Sequence, residues 1–240
     1  MQKIKISWDL GNRKSLLPEW EKPKIKVLAF IQARETSSRL PQKIYKELDG
    51  APILYHVISR AKESKLIDDA IILSPKKLSD LPENIKESIC PNCDGNNECR
   101  DVLGEYYWCL IDNPCDYVVR LTADCPLLDP NLIDFVVYQA IITSADYCSN
   151  VLKLTFPDGV DTEVIKSDFL KFLYHTTKSP YNREHVTTAI RDNIGLQEEF
   201  NCTSVENLED LSKIKISIDT EEDLQFANFL KKEICSFHLL

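Results

Sequence analysis

Three cationic side chains, Arg34, Arg39 and Lys43, fall within ten residues, with the hydroxyls of Ser37 and Ser38 between them. Together with the loop's backbone N–H groups they have the composition needed to cradle a polyphosphate. Pro41 stiffens the far end, so Lys43 returns at a set distance. A solvated basic loop would have the same composition, and residue types alone leave both readings open. Two aspartates follow stretches of strand length, Asp124 after the buried-strand run Tyr117–Leu121 and Asp219 after the alternating Ile214–Ile218. A carboxylate at a strand end sits on a rigid element and suits a Mg²⁺ ion facing phosphates. Asp124 could instead cap the next helix, but Asp129 with Pro130 behind it is the better cap and leaves Asp124 free.

Two further stretches carry charge in unusual patterns. Phe156 to Val164 places Asp158, Asp161 and Glu163 around the turn pair Asp158-Gly159, which is unexpected for a buried hairpin and expected for a solvated acidic one. Arg183 and His185 could hold an anion, one by a bidentate fork and the other by a switchable hydrogen bond. Equally, Arg183 could pair with Asp158 or Asp161 and serve only the architecture.

The string Ala33-Arg34-x-x-Ser37-Ser38-Arg39-Leu40-Pro41-x-Lys43 resembles the signature of cytidylyltransferases of the spore-coat-polysaccharide type, relatives of CMP-Kdo synthetase and acylneuraminate cytidylyltransferase. Asp101 to Tyr107, Arg120 to Leu127, Phe156 to Val164, Arg183 to Thr187 and Ile218 to Leu224 resemble further strings of that family, so the likeness spans roughly Ile25 to Leu230. Thr36 stands where many members carry Gly, and Glu105 where Arg is common. The resemblance implies an α/β, Rossmann-like nucleotide-diphospho-sugar transferase fold with a mixed, mostly parallel sheet flanked by helices. It implies transfer of CMP from CTP to a sugar or sugar acid for surface polysaccharide, with Mg²⁺ on Asp124 and Asp219. Arg34, Lys43, Asp124 and Asp219 would be catalytic. Ala33, Ser37, Ser38, Arg39, Asp101 and Thr122 would complete the nucleotide site, and Asp158, Gly159, Asp161, Glu163, Arg183 and His185 would select the acceptor. A homodimer is also implied. Two alternatives stand beside this reading. A nucleotide-sugar glycosyltransferase would show a D-x-D motif, which Asp124-Cys125-Pro126 lacks. A nucleotide-binding relative with lapsed activity is suggested by Thr36, Glu105 and the cysteine-bearing stretch.

The elements that must position these groups follow from periodicity. Val27–Ile31 and Ala70–Leu73 read as buried strands around a helix from Pro52 to about Lys65, a βαβ unit whose strand C-termini share one side. Tyr117–Leu121 is a third strand, Ala145–Ser149 a fourth, and Ile214–Ile218 alternates like a half-buried fifth. Helices are expected over Asn131–Thr143, over Ser167–Thr177 with Ser167 as cap, and from Thr220 to Ile234 through a Thr220–Asp223 capping pair. Lys3–Ser7 alternates like an edge strand inside an N-terminal extension, residues 1–24; the domain proper is residues 25–240, with a hairpin excursion around 152–165. His56, on an apolar helix face, is read as structural.

With 240 residues, 43% of them hydrophobic and 28% charged, the chain can bury the core of one domain. A formal net charge of −9 argues against broad nucleic-acid binding, so local cationic patches must carry any anion chemistry. No apolar run has membrane-spanning length and the first residues are too polar for a signal peptide, so a cytoplasmic protein without membrane partners is expected. Nine cysteines in that setting argue against a disulfide framework. Cys90, Cys93 and Cys99 could begin a zinc site with Cys109 or Cys115 as fourth ligand; thiols without metal are the alternative.

Overall fold

The chain enters through an edge strand. The computed structural model describes residues 1–9, 15–91 and 100–237. β1 (Gln2–Ile6) lies at one end of an eight-stranded sheet, and Trp8 just behind it is buried, its indole N–H donating to Asp129 Oδ2 at 2.7 Å. β2 (Val27–Gln32) leads through the basic loop and a 3₁₀ turn, Lys43–Tyr45, to a small hairpin of β3 (Glu47–Leu48) and β4 (Ala51–Pro52). Asp49 and Gly50, with φ of 51° and 81°, supply the two left-handed residues that such a two-residue turn requires. Then come α1 (Ile53–Glu63), β5 (Asp69–Ser74), β6 (Lys86–Ile89), α2 (Val102–Asp112), β7 (Tyr117–Thr122) and α3 (Pro130–Ile142). The remainder is β8 (Tyr147–Ser149), β9 (Glu163–Lys166), α4 (Ser167–Thr176), α5 (Pro180–His185), α6 (Thr188–Arg191), α7 (Ile194–Glu199), β10 (Cys202–Asn207) and α8 (Glu221–Phe237).

The strand order is β1-β10-β8-β9-β7-β2-β5-β6, and all pairings are parallel except those of β9 with β7 and β8. This is the mixed, mostly parallel α/β sheet expected, flanked by helices on both faces. Alternation along β2 feeds two cores: Val27, Ala29 and Ile31 pack with α1, α3 and α8, and Leu28 and Phe30 with α2, α4 and α6. After β2 the chain goes to β5 and β6 on one side, then returns to β7 on the other. That reversal opens a crevice at the C-terminal ends of β2 and β7, the place where such sheets bind ligands.

Two expectations need correction, and one strand was not expected. Ile214–Ile218 is not a strand: apart from one bridge between Lys215 and Asp158, its backbone is tied to two loops, Ile216 and Ser217 N–H donating to Asp158 O and Ile218 N–H to Asp124 O. Ser167 is the first residue of α4 rather than its cap, and its hydroxyl donates to Cys115 O at 2.6 Å. The strand next to β8 is β10, a fully buried run with Thr203, Ser204 and Glu206 inside, whose polar pattern carries no strand period. Three further local readings hold. Asp129 caps α3 through Asn131 N–H with Pro130 at the first turn, and Thr220 and Asp223 exchange side-chain-to-backbone hydrogen bonds at the start of α8. His56 is structural, with Nε2 2.6 Å from Leu48 O and Nδ1 3.1 Å from Lys231 Nζ.

Candidate active site

The basic loop is pinned on both sides of its lysine. Leu40 and Ile44 are buried, Lys43 N–H donates to Leu40 O, and Ser37 Oγ accepts from Leu40 N–H at 3.4 Å. Glu35 ties the loop's start to the segment after β5, accepting from Tyr45 Oη at 2.7 Å and Ser79 Oγ at 3.0 Å and pairing with Lys76 at 2.9 Å. Burial alone would raise the Glu35 carboxyl, but these partners bring it down to about 2.

That anchoring aims Lys43 at both aspartates. Its Nζ lies 3.0 Å from Asp124 Oδ2 and 3.0 Å from Asp219 Oδ1, so the two carboxylate oxygens are no farther apart than twice that distance. Arg39 reaches Asp219 at 3.1 Å and Lys215 reaches its other oxygen at 3.3 Å. Burial works to raise both carboxyls, but Lys43, with Thr122 at Asp124 and Lys215 at Asp219, brings both below the ordinary carboxylate range. Asp124 ends β7 as expected. Asp219 reaches the same point on the stitched loop, its N–H held by Asp223 Oδ2 at 2.9 Å.

Around this centre lies a cavity of about 1050 Å³ at the crevice between β2 and β7. Arg34, Ser37, Ser38, Arg39, Lys43, Thr122, Asp124, His185 and Asp219 line it. So do Gln32, Lys76, Arg100, Arg120 and Glu184, which the sequence reading had not singled out as site residues. Six of the lining side chains are cationic and four are carboxylates, so the cavity is positive inside a protein of net charge −9. Such a pocket concentrates anions.

The cytidylyltransferase family profile matches residues 28–236, the stretch that lines this cavity and carries the sheet apart from its edge strand β1. The chain belongs to the cytidylyltransferase family. It is 33% identical over 214 residues to an uncharacterized protein of Methanocaldococcus jannaschii, covering 87% of this chain and 84% of that one. It is 27% identical to the spore coat polysaccharide biosynthesis protein SpsF of Bacillus subtilis, over 83% of each chain. A solved cytidylyltransferase from Leptospira borgpetersenii superposes with a TM-score of 0.76 at 28% identity, over 85% of both chains, and shares the nucleotide-sugar transferase fold.

In this member of the cytidylyltransferase family the remaining expected site residues do not line the cavity. Asp101 caps α2 through Gly104 N–H and pairs with Arg183 at 2.7 Å, which is the partner Arg183 takes in place of Asp158 or Asp161. Arg183 also donates to the carbonyls of Tyr174 and Thr177 at 3.1 Å and sits over the Tyr174 ring, riveting α5 to α2 and α4. Glu163, 1% exposed, pairs with Arg120 at 2.5 Å and accepts from Tyr147 Oη, so it holds Arg120 rather than facing ligand. Gly159 has φ 119°, and a Cβ there would meet Ser217 N at 2.4 Å. Asp158 supplies the backbone that carries residues 214–217, and Ala33 is buried beside the loop. Asp161 sits among Glu163 and Asp158, and burial followed by those charges pushes its carboxyl up to about 7. Glu105 is 4% exposed; burial and then Asp101 raise it to about 7, with the charge of Arg34 opposing.

Arg120 was legible in retrospect. It stands two residues before Thr122 on β7, and strand period two places both on one face. Its Nη2 lies 3.3 Å from Gln32 Oε1, and its buried Nε has no hydrogen-bond partner.

The donor set fits a hard divalent cation. Asp124 and Asp219 offer oxygens from two anchored positions within reach of one ammonium. Among the described residues no cluster of three or more metal-capable side chains occurs. An ion held here must take its other oxygens from phosphate and water, as Mg²⁺ at nucleotide sites does. The zinc reading falls largely outside view, since Cys93 and Cys99 lie outside the described residues, as do Gly95, Asn96 and Asn97; Cys90 and Cys109 are buried. No helix among the described residues is long and apolar enough to cross a membrane.

Proposed function

We propose that this protein transfers CMP from CTP to a hydroxyl of a sugar or sugar acid, with release of pyrophosphate. The observation that carries the reading is the joining of Asp124 and Asp219 through Lys43 on the wall of a cationic cavity. The acceptor oxygen attacks the α-phosphorus and its hydroxyl proton passes to solvent, while the bond to the bridging oxygen breaks and pyrophosphate leaves with that electron pair. Positioning and charge neutralisation dominate such chemistry. Arg34, Arg39 and Lys43 neutralise the triphosphate, while Ser37, Ser38 and the loop N–H groups orient it. Asp124 and Asp219 would hold Mg²⁺, which when bound neutralises charge on the reacting phosphate. Thr122, Gln32 and Arg120 form the polar wall beside them, and Glu184 and His185 stand at the rim for the acceptor. The name of the Bacillus subtilis relative supports an acceptor destined for a surface polysaccharide.

Thermal unfolding with CTP, UTP, ATP and GTP, each with and without Mg²⁺, tests the nucleotide. Selective stabilisation by CTP with Mg²⁺, followed by pyrophosphate release against a panel of sugars and sugar acids, is expected. Equal shifts with all four nucleotides would remove cytosine from the reading, and no shift with any would remove the nucleotide site.

A further inference from the structure

We propose that Lys43 is the resident counter-ion of the Asp124–Asp219 pair, and that a divalent cation gains these carboxylates only when a triphosphate draws the ammonium away. The inference rests on the nucleotidyl-transfer reading and adds an order of assembly to it.

The geometry is specific. The Lys43 side chain is 12% exposed, and its Nζ is equidistant, at 3.0 Å, from one oxygen of each aspartate. Its backbone is fixed by the 3₁₀ turn and by buried Leu40 and Ile44, so the ammonium is delivered rather than adventitious. The surrounding charges are already balanced. Lys43 serves both carboxylates, Arg39 and Lys215 add contacts to Asp219, and Asp223 takes the rest of Lys215 at 2.6 Å. A dication arriving alone would meet a pair already neutralised, and would displace an ammonium whose two ion pairs are both with those carboxylates, leaving it in need of another anion. A triphosphate supplies that anion. Its oxygens accept Lys43, and the vacated carboxylate oxygens become ligands for the ion the nucleotide brings. The same side chain therefore keeps two carboxylates together in the free protein and neutralises phosphate in the loaded one.

Mn²⁺ binding to the nucleotide-free, full-length protein, followed by the loss of the free-ion electron spin resonance signal, reads the competition directly. Wild type is expected to bind Mn²⁺ weakly. Lys43→Met and Lys43→Gln are expected to bind it at least about tenfold tighter, because the competing cation is gone. The gain should vanish in the Lys43→Met/Asp219→Asn double variant. Independently of whether those variants fold, the ¹⁵Nζ resonance of Lys43 in the wild-type protein, assigned by its loss in Lys43→Arg, should hold its position on addition of Mg²⁺ alone. It should move on addition of Mg²⁺ with CTP. Folded neutral variants that bind Mn²⁺ no tighter than wild type, or a Lys43 resonance that Mg²⁺ alone displaces, would overturn the proposal. CTP-induced stabilisation of the wild-type protein is scored separately, so failure of the nucleotide reading is distinguishable from failure of the exchange.

Discussion

Single side chains divide here into those that meet ligand and those that hold them in place. Asp124 faces the cavity, and its replacement by Asn keeps the shape while removing the charge. Asp124→Asn should lower the rate of pyrophosphate release at least about a hundredfold, with cooperative thermal unfolding retained; unchanged turnover would take it out of the site. Asp161 makes a different prediction. Its folded carboxyl holds a proton up to about 7, whereas the unfolded chain releases it near the ordinary 3.8. The fold therefore binds more protons than the unfolded chain in that window. This group subtracts nothing below it and increasingly destabilises the protein as pH rises through it. Urea denaturation should find Asp161→Asn gaining stability over wild type between pH of about 4 and about 8, by on the order of 3 kcal/mol at the upper end. A difference that does not change with pH would refute the assignment. At this scale the sequence was informative where a motif residue ends a strand, as Asp124 does. It was uninformative for Glu163 and Arg183, because which partner a charged side chain takes depends on elements distant in the chain.

At the scale of elements, apolar period decided what could be read. β2, β5 and β7 are buried on both faces and announce themselves as apolar runs, and α3 and α8 carry their own start signals. β10 gave no such signal because its interior places are filled by Thr203, Ser204 and Glu206, whose burial depends on neighbours such as Lys153, 3.2 Å from Glu206. Residues 214–218 gave a false one: Ile216 and Ile218 are buried by packing while Ile214 is exposed, and the N–H groups of Ile216 and Ile218 donate to the loop carbonyls of Asp158 and Asp124. This stitch makes Gly159 a critical position. A methyl group there would strike Ser217 N and would also hold a side chain at positive φ, so Gly159→Ala should cost about 2–4 kcal/mol in urea denaturation. It should lower nucleotidyl transfer as well, since Asp219 hangs from the same loop. A variant with wild-type stability would show that residues 216–217 can move aside.

For the molecule as a whole, an acidic protein gathers six cationic side chains around this cavity. Affinity for CTP should therefore fall several-fold as salt shortens the screening length below about 10 Å, measurable by titration calorimetry across ionic strengths. A salt-independent affinity would place the triphosphate elsewhere. The first eight residues also belong to the whole: β1 pairs with β10, and Trp8 packs edge-on against Phe156 at 5.7 Å. Trp8→Ala should remove about 3–5 kcal/mol in urea denaturation, and a smaller loss would mean that this segment only lies on the surface. The pairing of β1 with β10 and the meeting of Lys43 with Asp219 share one property: each joins an early part of the chain to a late one. On a ribosome, where the N-terminal part emerges first, the polyphosphate loop is made long before its opposing carboxylate. Chains stopped before Asp219 consequently lack the complete site.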